Sequence, residues 1–154
     1  MPFGWSLPGF GAGAKVMTSF GAVPVEALRR RDPVRTHAGT FLDVQYVDEI
    51  KLDRRFLLTH PEAQPVFIPR GAMGAQSPNR HMLLSGVQKV RSPGRFDQSG
   101  GVAAEDMIGR GGIARKSHGY FTYYVFHCGA PCTVNVDGLW VDLAPADVGM
   151  PLYA

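Results

Sequence analysis

The stretch Thr18-Ser19-Phe20-Gly21-Ala22-Val23-Pro24-Val25-Glu26-Ala27-Leu28 is a turn set between two short apolar segments. Residues 15–18 form a short strand candidate, and Ser19-Phe20-Gly21 supplies the turn. In residues 22–28, Val23, Val25 and Leu28 face one side, and Glu26 opens a single helical turn. The local chemistry is that of a short strand, a turn and a one-sided apolar segment, the grammar of a turn-rich β protein.

The same grammar continues on both sides. Upstream, residues 1–14 are rich in Gly, Pro and aromatics, with Trp5 and a Gly-Phe-Gly-Ala-Gly-Ala run over 9–14, and they form an irregular lead-in. A dinucleotide-binding glycine loop would need a strand before that run and a helix after it, and neither is present. Downstream, residues 34–37 and 40–53 read as strands joined at Ala38-Gly39. His60-Pro61 and Gln64-Pro65 interrupt the chain before a strand at 66–68. Residues 82–84 and 87–90 are further short strands around Ser85-Gly86.

The signal is poorest over 92–119, where 102–108 is expected to form a short helix stopped by Gly109, Gly111 and Gly112. The last block holds strands at 120–126, 133–136 and 139–143. Its Asp137-Gly138 pair, flanked by apolar alternation, is the strongest hairpin signal in the chain. Alternation over 120–126 puts Tyr120, Thr122, Tyr124 and Phe126 on one face and Phe121, Tyr123 and Val125 on the other. Both faces are apolar, which most simply predicts a central strand; one face docking on a partner is the other reading.

Composition agrees. The 154 residues suffice for one core and include 19 glycines and 12 prolines. With 45% apolar and 19% charged residues the chain falls in the globular range. The net charge of +3 is concentrated in Arg29-Arg30-Arg31, a run that suits a solvated turn better than a phosphate-binding face, because no array of bases and aromatics surrounds it. Nucleic acid is not expected as a partner. No apolar stretch approaches the roughly 20 residues of a membrane span, and the N-terminus lacks a basic-then-apolar signal. Only Cys128 and Cys132 are present, too few for a disulfide framework, so a reducing, cytoplasmic location is expected.

The residue cluster richest in chemistry is His127-Cys128-Gly129-Ala130-Pro131-Cys132. Two thiols and an imidazole suit Zn²⁺, but a structural site needs four ligands and this loop offers three. A disulfide across the turn and ordinary half-buried thiols are the other readings. A cysteine hydrolase using His127 or His118 as base lacks a third, orienting residue. No cofactor is implied.

Several fragments, taken in order, resemble bacterial stand-alone Hint domains of the Hedgehog/intein type. Residues 18–28 match the family pattern T-x-x-G-x-V-P-V-E-x-L. Arg31-Asp32-Pro33-Val34-Arg35-Thr36 is similar to its Gly-Asp-x-Val-x-Thr turn. His60-Pro61-Glu62 through Gly71-Ala72-Met73-Gly74 resembles H-P-E-x-x-P-V-x-I-x-x-G-A-x-G, and residues 134–142 resemble the returning hairpin. The resemblance implies an all-β Hint-like fold of short strands and hairpins, with at most one or two short helices. It divides the chain into a lead-in (1–8), the domain (9–145) and a tail (146–154).

Within that resemblance the chemical positions depart from the family. The position of its nucleophilic Cys is Gly9, which has no side-chain atom with which to begin an N-to-S acyl shift. Ser6, three residues earlier, fits a turn residue better than a substitute nucleophile. The Ser-Pro-x-His element is matched by Ser85-Gly86-Val87-Gln88, and an amide at Gln88 cannot shuttle protons as an imidazole does. His81, where an acidic residue is usual, fits a surface role. The His ahead of the returning hairpin falls on Pro131, with His127 as the nearest substitute. Three departures beside retained turns imply a catalytically inactive domain serving as a structural or accessory subunit or protein-binding module in a larger assembly, with Trp5, Arg29, Arg30 and Arg31 as candidate contacts. The alternative is autoprocessing at a shifted bond by displaced residues.

Overall fold

The computed structural model describes residues 5–91 and 100–145; the tail assigned to 146–154 and the first four residues of the lead-in lie outside the described residues. β1 (Lys15–Thr18) is the strand read from the opening stretch, and β2 (Gly21–Pro24) turns the segment after it into the second arm of a hairpin, with Thr18 opposite Gly21. Thr18 Oγ1 closes the turn by donating to Gly21 O (2.8 Å) and accepting the Phe20 N–H (3.0 Å). The expected helical turn follows as a 3-10 turn, Val25–Ala27. β3 (Pro33–Arg35) and β4 (Phe41–Asp43) pair across Gly39.

The strand expected over 40–53 is two strands. Val44 N donates to Asp32 O (2.9 Å) and accepts Arg31 N–H on its carbonyl (2.7 Å), so the backbone at 44 turns back to the 31–32 turn before β5 (Tyr46–Leu52) begins. Beyond it lies a helix the sequence reading did not contain, α1 (Arg54–Thr59). Asp53 caps it by accepting the Phe56 N–H at 2.8 Å, satisfying one of the free donors of the first turn. Pro61 ends it and starts a 3-10 turn, Pro61–Ala63.

β6 (Val66–Ile68), β7 (Met82–Leu84) and β8 (Lys89–Arg91) occupy their expected places within two residues. The helix expected over 102–108 is instead β9 (Val102–Ala103) followed by a 3-10 turn, Ala104–Met107. The backbone here is drawn into pairing with β8, Val90 opposite Val102, which outweighs a weak helical propensity. β10 (Ala114–Arg115) was not anticipated. β11 (Phe121–His127), β12 (Cys132–Val136) and β13 (Leu139–Leu143) complete the chain. Asp137 and Gly138 join the last two with φ of 53° and 79°, the paired positive values a type I′ turn demands.

The larger sheet runs β4-β3-β1-β12-β13-β8-β9, with β2 paired to β1. Its inner face is built from Val16, Val34, Val134, Val136, Leu139 and Val141, all fully buried. A three-stranded sheet, β10-β6-β7, and a β11-β5 ribbon form the rest. These two are joined by one residue of the lead-in: Phe10 bridges Leu84 of β7 on one side and Tyr124 of β11 on the other. β11 is thus the internal strand its two apolar faces predicted, with Tyr123, Val125 and Phe126 buried. Tyr120, just ahead of it, is exposed. No described helix is long and apolar enough to cross a membrane.

Candidate functional site

The site implied by the sequence lies where the lead-in enters the fold. Phe10 N donates to Tyr124 O (3.0 Å) and Tyr124 N to Phe10 O (2.8 Å), while Gly11 N donates to Leu83 O (2.8 Å) and Ser85 N to Gly9 O (2.9 Å). Residues 9–11 therefore run as a short strand between β7 and β11. The space is tight. A Cβ on Gly11 would lie 2.9 Å from the Phe121 ring and 3.1 Å from Leu83 O. A Cβ on Gly9 would lie 3.1 Å from Tyr123 Cβ, 3.2 Å from Tyr124 O and 3.3 Å from Val125 Cγ2, and Gly9 has φ +145°, a backbone state L-residues rarely adopt.

Ser85 and Trp5 hold the segment ahead of Gly9. The buried Ser85 hydroxyl donates to Leu7 O (2.6 Å) and accepts the Trp5 indole N–H (3.0 Å). The Trp5 ring stacks on Tyr123 (5.3 Å) and meets Phe56 edge-on (6.2 Å), and its backbone N–H donates to Glu62 (3.3 Å). Glu62 is held below the ordinary carboxylate range, first by its own backbone N–H and then by that of Trp5. The Tyr123 hydroxyl donates to Ala63 O at 2.7 Å, and burial keeps its phenol protonated well above the usual range. Trp5, expected as a candidate partner contact, is spent within the molecule. The reason is packing: the indole completes the small core of Leu52, Leu57, Ala63 and Tyr123.

Gln88 is 1% exposed. Its Nε2 donates to Asp142 O (3.0 Å) and Lys89 O (3.2 Å), tying the turn after β7 to the end of β13. Two carbonyl acceptors fix which end of the amide is nitrogen. Its Oε1 is buried without a hydrogen-bond partner. Gln88, Gly9 and Leu143 border a cavity of about 10 Å³, room for one water. Among the described residues lining it, none carries a thiol, hydroxyl or imidazole; the single carboxylate, Asp142, accepts Arg91 Nε (2.7 Å), Thr133 Oγ1 (2.8 Å) and Gly101 N (2.7 Å).

The remaining candidates lie elsewhere. Pro131 is exposed in the loop before β12 and does not line the cavity. Ser6 is exposed. His81 accepts the Arg70 N–H on Nδ1 (2.9 Å), and His118 is anchored by its backbone to the Gln64 side chain. Arg29, Arg30 and Arg31 are exposed on a turn that Asp32 closes by accepting Arg29 N–H (2.9 Å).

In the 127–132 loop the structure brings together the two thiols but not the imidazole. Cys128 and Cys132 are free, and their mutual influence raises the Cys128 thiol and lowers that of Cys132. The His127 ring stacks on Tyr46 (5.1 Å) and accepts Gly129 N–H (3.0 Å); burial lowers its pKa. Among the described residues no three His, Cys, Asp or Glu side chains group as a metal site.

The sequence reading missed the Trp5–Ser85 latch and the hub at Asp142. Glycines at 9 and 11 flanking Phe10 were the available signal for the first, since alternate glycines mark close backbone approach in a strand. Nothing local marked the second.

The geometry can be set beside known proteins. No curated protein sequence matches the chain. The crystal structure of the gp41-1 intein superposes with a TM-score of 0.56 at 10% identity, covering 87% of this chain and 97% of that one, a likeness of fold. A family model described as Hint domain matches residues 8–144, nearly the whole of the described chain. The chain belongs to the Hint domain family.

Proposed function

We propose that this Hint domain carries no self-cleaving chemistry and serves as an accessory or protein-binding subunit of a larger assembly. The observation that carries this reading is the wall of the cavity beside Gly9: no side chain there can attack the Pro8–Gly9 bond, and the amide of Gln88 stands where a proton donor would be needed. The former nucleophile position is closed sterically as well as chemically, because a side chain at Gly9 meets β11. The retained fold with its site given over to packing supports a role in binding rather than reaction.

Two measurements test the two halves. Incubated with and without a thiol or hydroxylamine, the purified chain keeps its intact mass of 16.7 kDa. A discrete cleavage product under either condition overturns the silent half in favour of autoprocessing at a displaced bond. Isolated under native conditions from its own cell, the protein elutes in a complex. Elution as a monomer with nothing co-purifying overturns the accessory half.

A further inference from the structure

Arg29, Arg30 and Arg31 lie in the turn that leads into β3, and all of them are exposed. None forms an ion pair among the described residues. The carboxylates nearest in sequence take backbone donors instead, Glu26 the Gly13 N–H (2.8 Å) and Asp32 the Arg29 N–H (2.9 Å). Asp43, exposed on β4, offsets only part of the charge, so the turn carries a concentrated positive field.

Arg31 also holds a strained backbone. Its φ is +76°, a left-handed value that glycine adopts freely and residues with a Cβ rarely do. The conformation is pinned by its N–H, which donates to Val44 O at 2.7 Å. An arginine at a position where glycine is unstrained points to a use for its side chain. The same hydrogen bond sets the turn against β4. Val44 follows β4 directly, and β4 ends the larger sheet, paired to β3 on one side and to nothing among the described residues on the other. An unpaired strand edge offers main-chain donors and acceptors to an incoming extended chain, and Phe41 stands exposed on that strand.

We propose that the 29–31 turn and the free edge of β4 together dock an extended acidic segment of a partner protein, an inference that rests on the protein-binding role proposed for the domain. The segment adds as a strand beside β4 and carries its carboxylates past Val44 to the arginines. Arg–carboxylate pairs are bidentate and directional, so the turn selects charge while the edge supplies main-chain bonds. Nucleic acid could use the arginines but has no strand to add to the edge.

The full-length protein is titrated into a fluorescein-labelled peptide, Glu-Val-Glu-Val-Glu-Val, and followed by fluorescence anisotropy. Saturable binding is expected, weakened at least about tenfold in R29Q/R30Q/R31Q and weakened also by about 0.5 M salt. R54Q/R55Q, which removes two exposed arginines of α1, stays within about twofold of the wild type. The peptide N-methylated on alternate residues cannot pair with the edge and binds at least about tenfold more weakly. Arg31→Gly binds at least about threefold more weakly yet keeps or raises the urea midpoint, because the strain leaves with the cation. The proposal is overturned by no binding to the wild type, by an equal loss in R54Q/R55Q, or by indifference to N-methylation. A labelled oligodeoxythymidine held more tightly than the peptide, or a lowered midpoint for Arg31→Gly, overturns it as well. Any of these results with the native complex still eluting intact sinks this docking site and leaves the accessory role standing.

Discussion

At Gly9 the absent side chain and the backbone conformation are one fact. The neighbouring Tyr123, Tyr124 and Val125 atoms stand at 3.1–3.3 Å from where a Cβ would be. Reinstating a nucleophile by Gly9→Cys therefore requires both an unfavourable φ and movement of β11. The variant is expected to be about 1–3 kcal/mol less stable than the wild type by urea unfolding, and to show no hydroxylamine-dependent cleavage. A wild-type midpoint would contradict the steric account. Asp137 illustrates a different residue-scale effect. Its carboxyl is 4% exposed and burial raises its pKa, against the pull of the Lys15 N–H, Arg80 and Lys15. A carboxyl whose folded pKa lies above its unfolded value stabilises fully below about pH 4, and that contribution is lost as pH rises through the folded value. Asparagine keeps the acceptor and suits the type I′ turn. Asp137→Asn should thus gain on the wild type between about pH 4 and pH 7 in urea midpoints; a constant difference across that range would refute the assignment. Of these two residues, the turn at Asp137 was legible because the Asp-Gly pair is a local signal. The closure around Gly9 was not, since its walls come from residues more than a hundred positions away.

Among the elements, the C-terminal hairpin was readable from turn chemistry and alternation, as were the strand at 15–18 and the turn after it. The failures share a cause. β4 and β5 were fused because Val44 is apolar and looks continuous with both, although its backbone bonds go to the 31–32 turn. α1 was overlooked because Asp53 was counted as the end of a strand when it is a helix cap. β9 and β10 are two residues each, too short for periodicity to show. The lead-in was read correctly as irregular, yet it is fastened by the Trp5 indole to Ser85, Tyr123 and Phe56. Trp5→Ala should cost about 2–4 kcal/mol, a little below the figure for a fully buried Trp. Denaturant unfolding measures it; a loss under about 0.5 kcal/mol, the range of ordinary surface substitutions, would mean the latch is not energetically significant.

Over the whole molecule, the family resemblance in the motifs and the family match over 8–144 describe the same object, and the architecture follows from them. The candidate site is a mixed case. Its positions were read from the motifs, but what the side chains there do needed coordinates: Gln88 is a clamp between a turn and β13, and Ser85 holds the lead-in. The bridge made by Phe10 bears on how the chain folds. Its partners are Leu84 and Tyr124, so the strand synthesised first has nowhere to pair until β7 has been made, and is paired on both sides only after β11. Closing loops of that length carries an entropic penalty that local hairpins avoid. Residues 9–11 should therefore enter the structure late, after the β1–β2 and β12–β13 hairpins have formed, and their docking is the step that joins the β11–β5 ribbon to the three-stranded sheet.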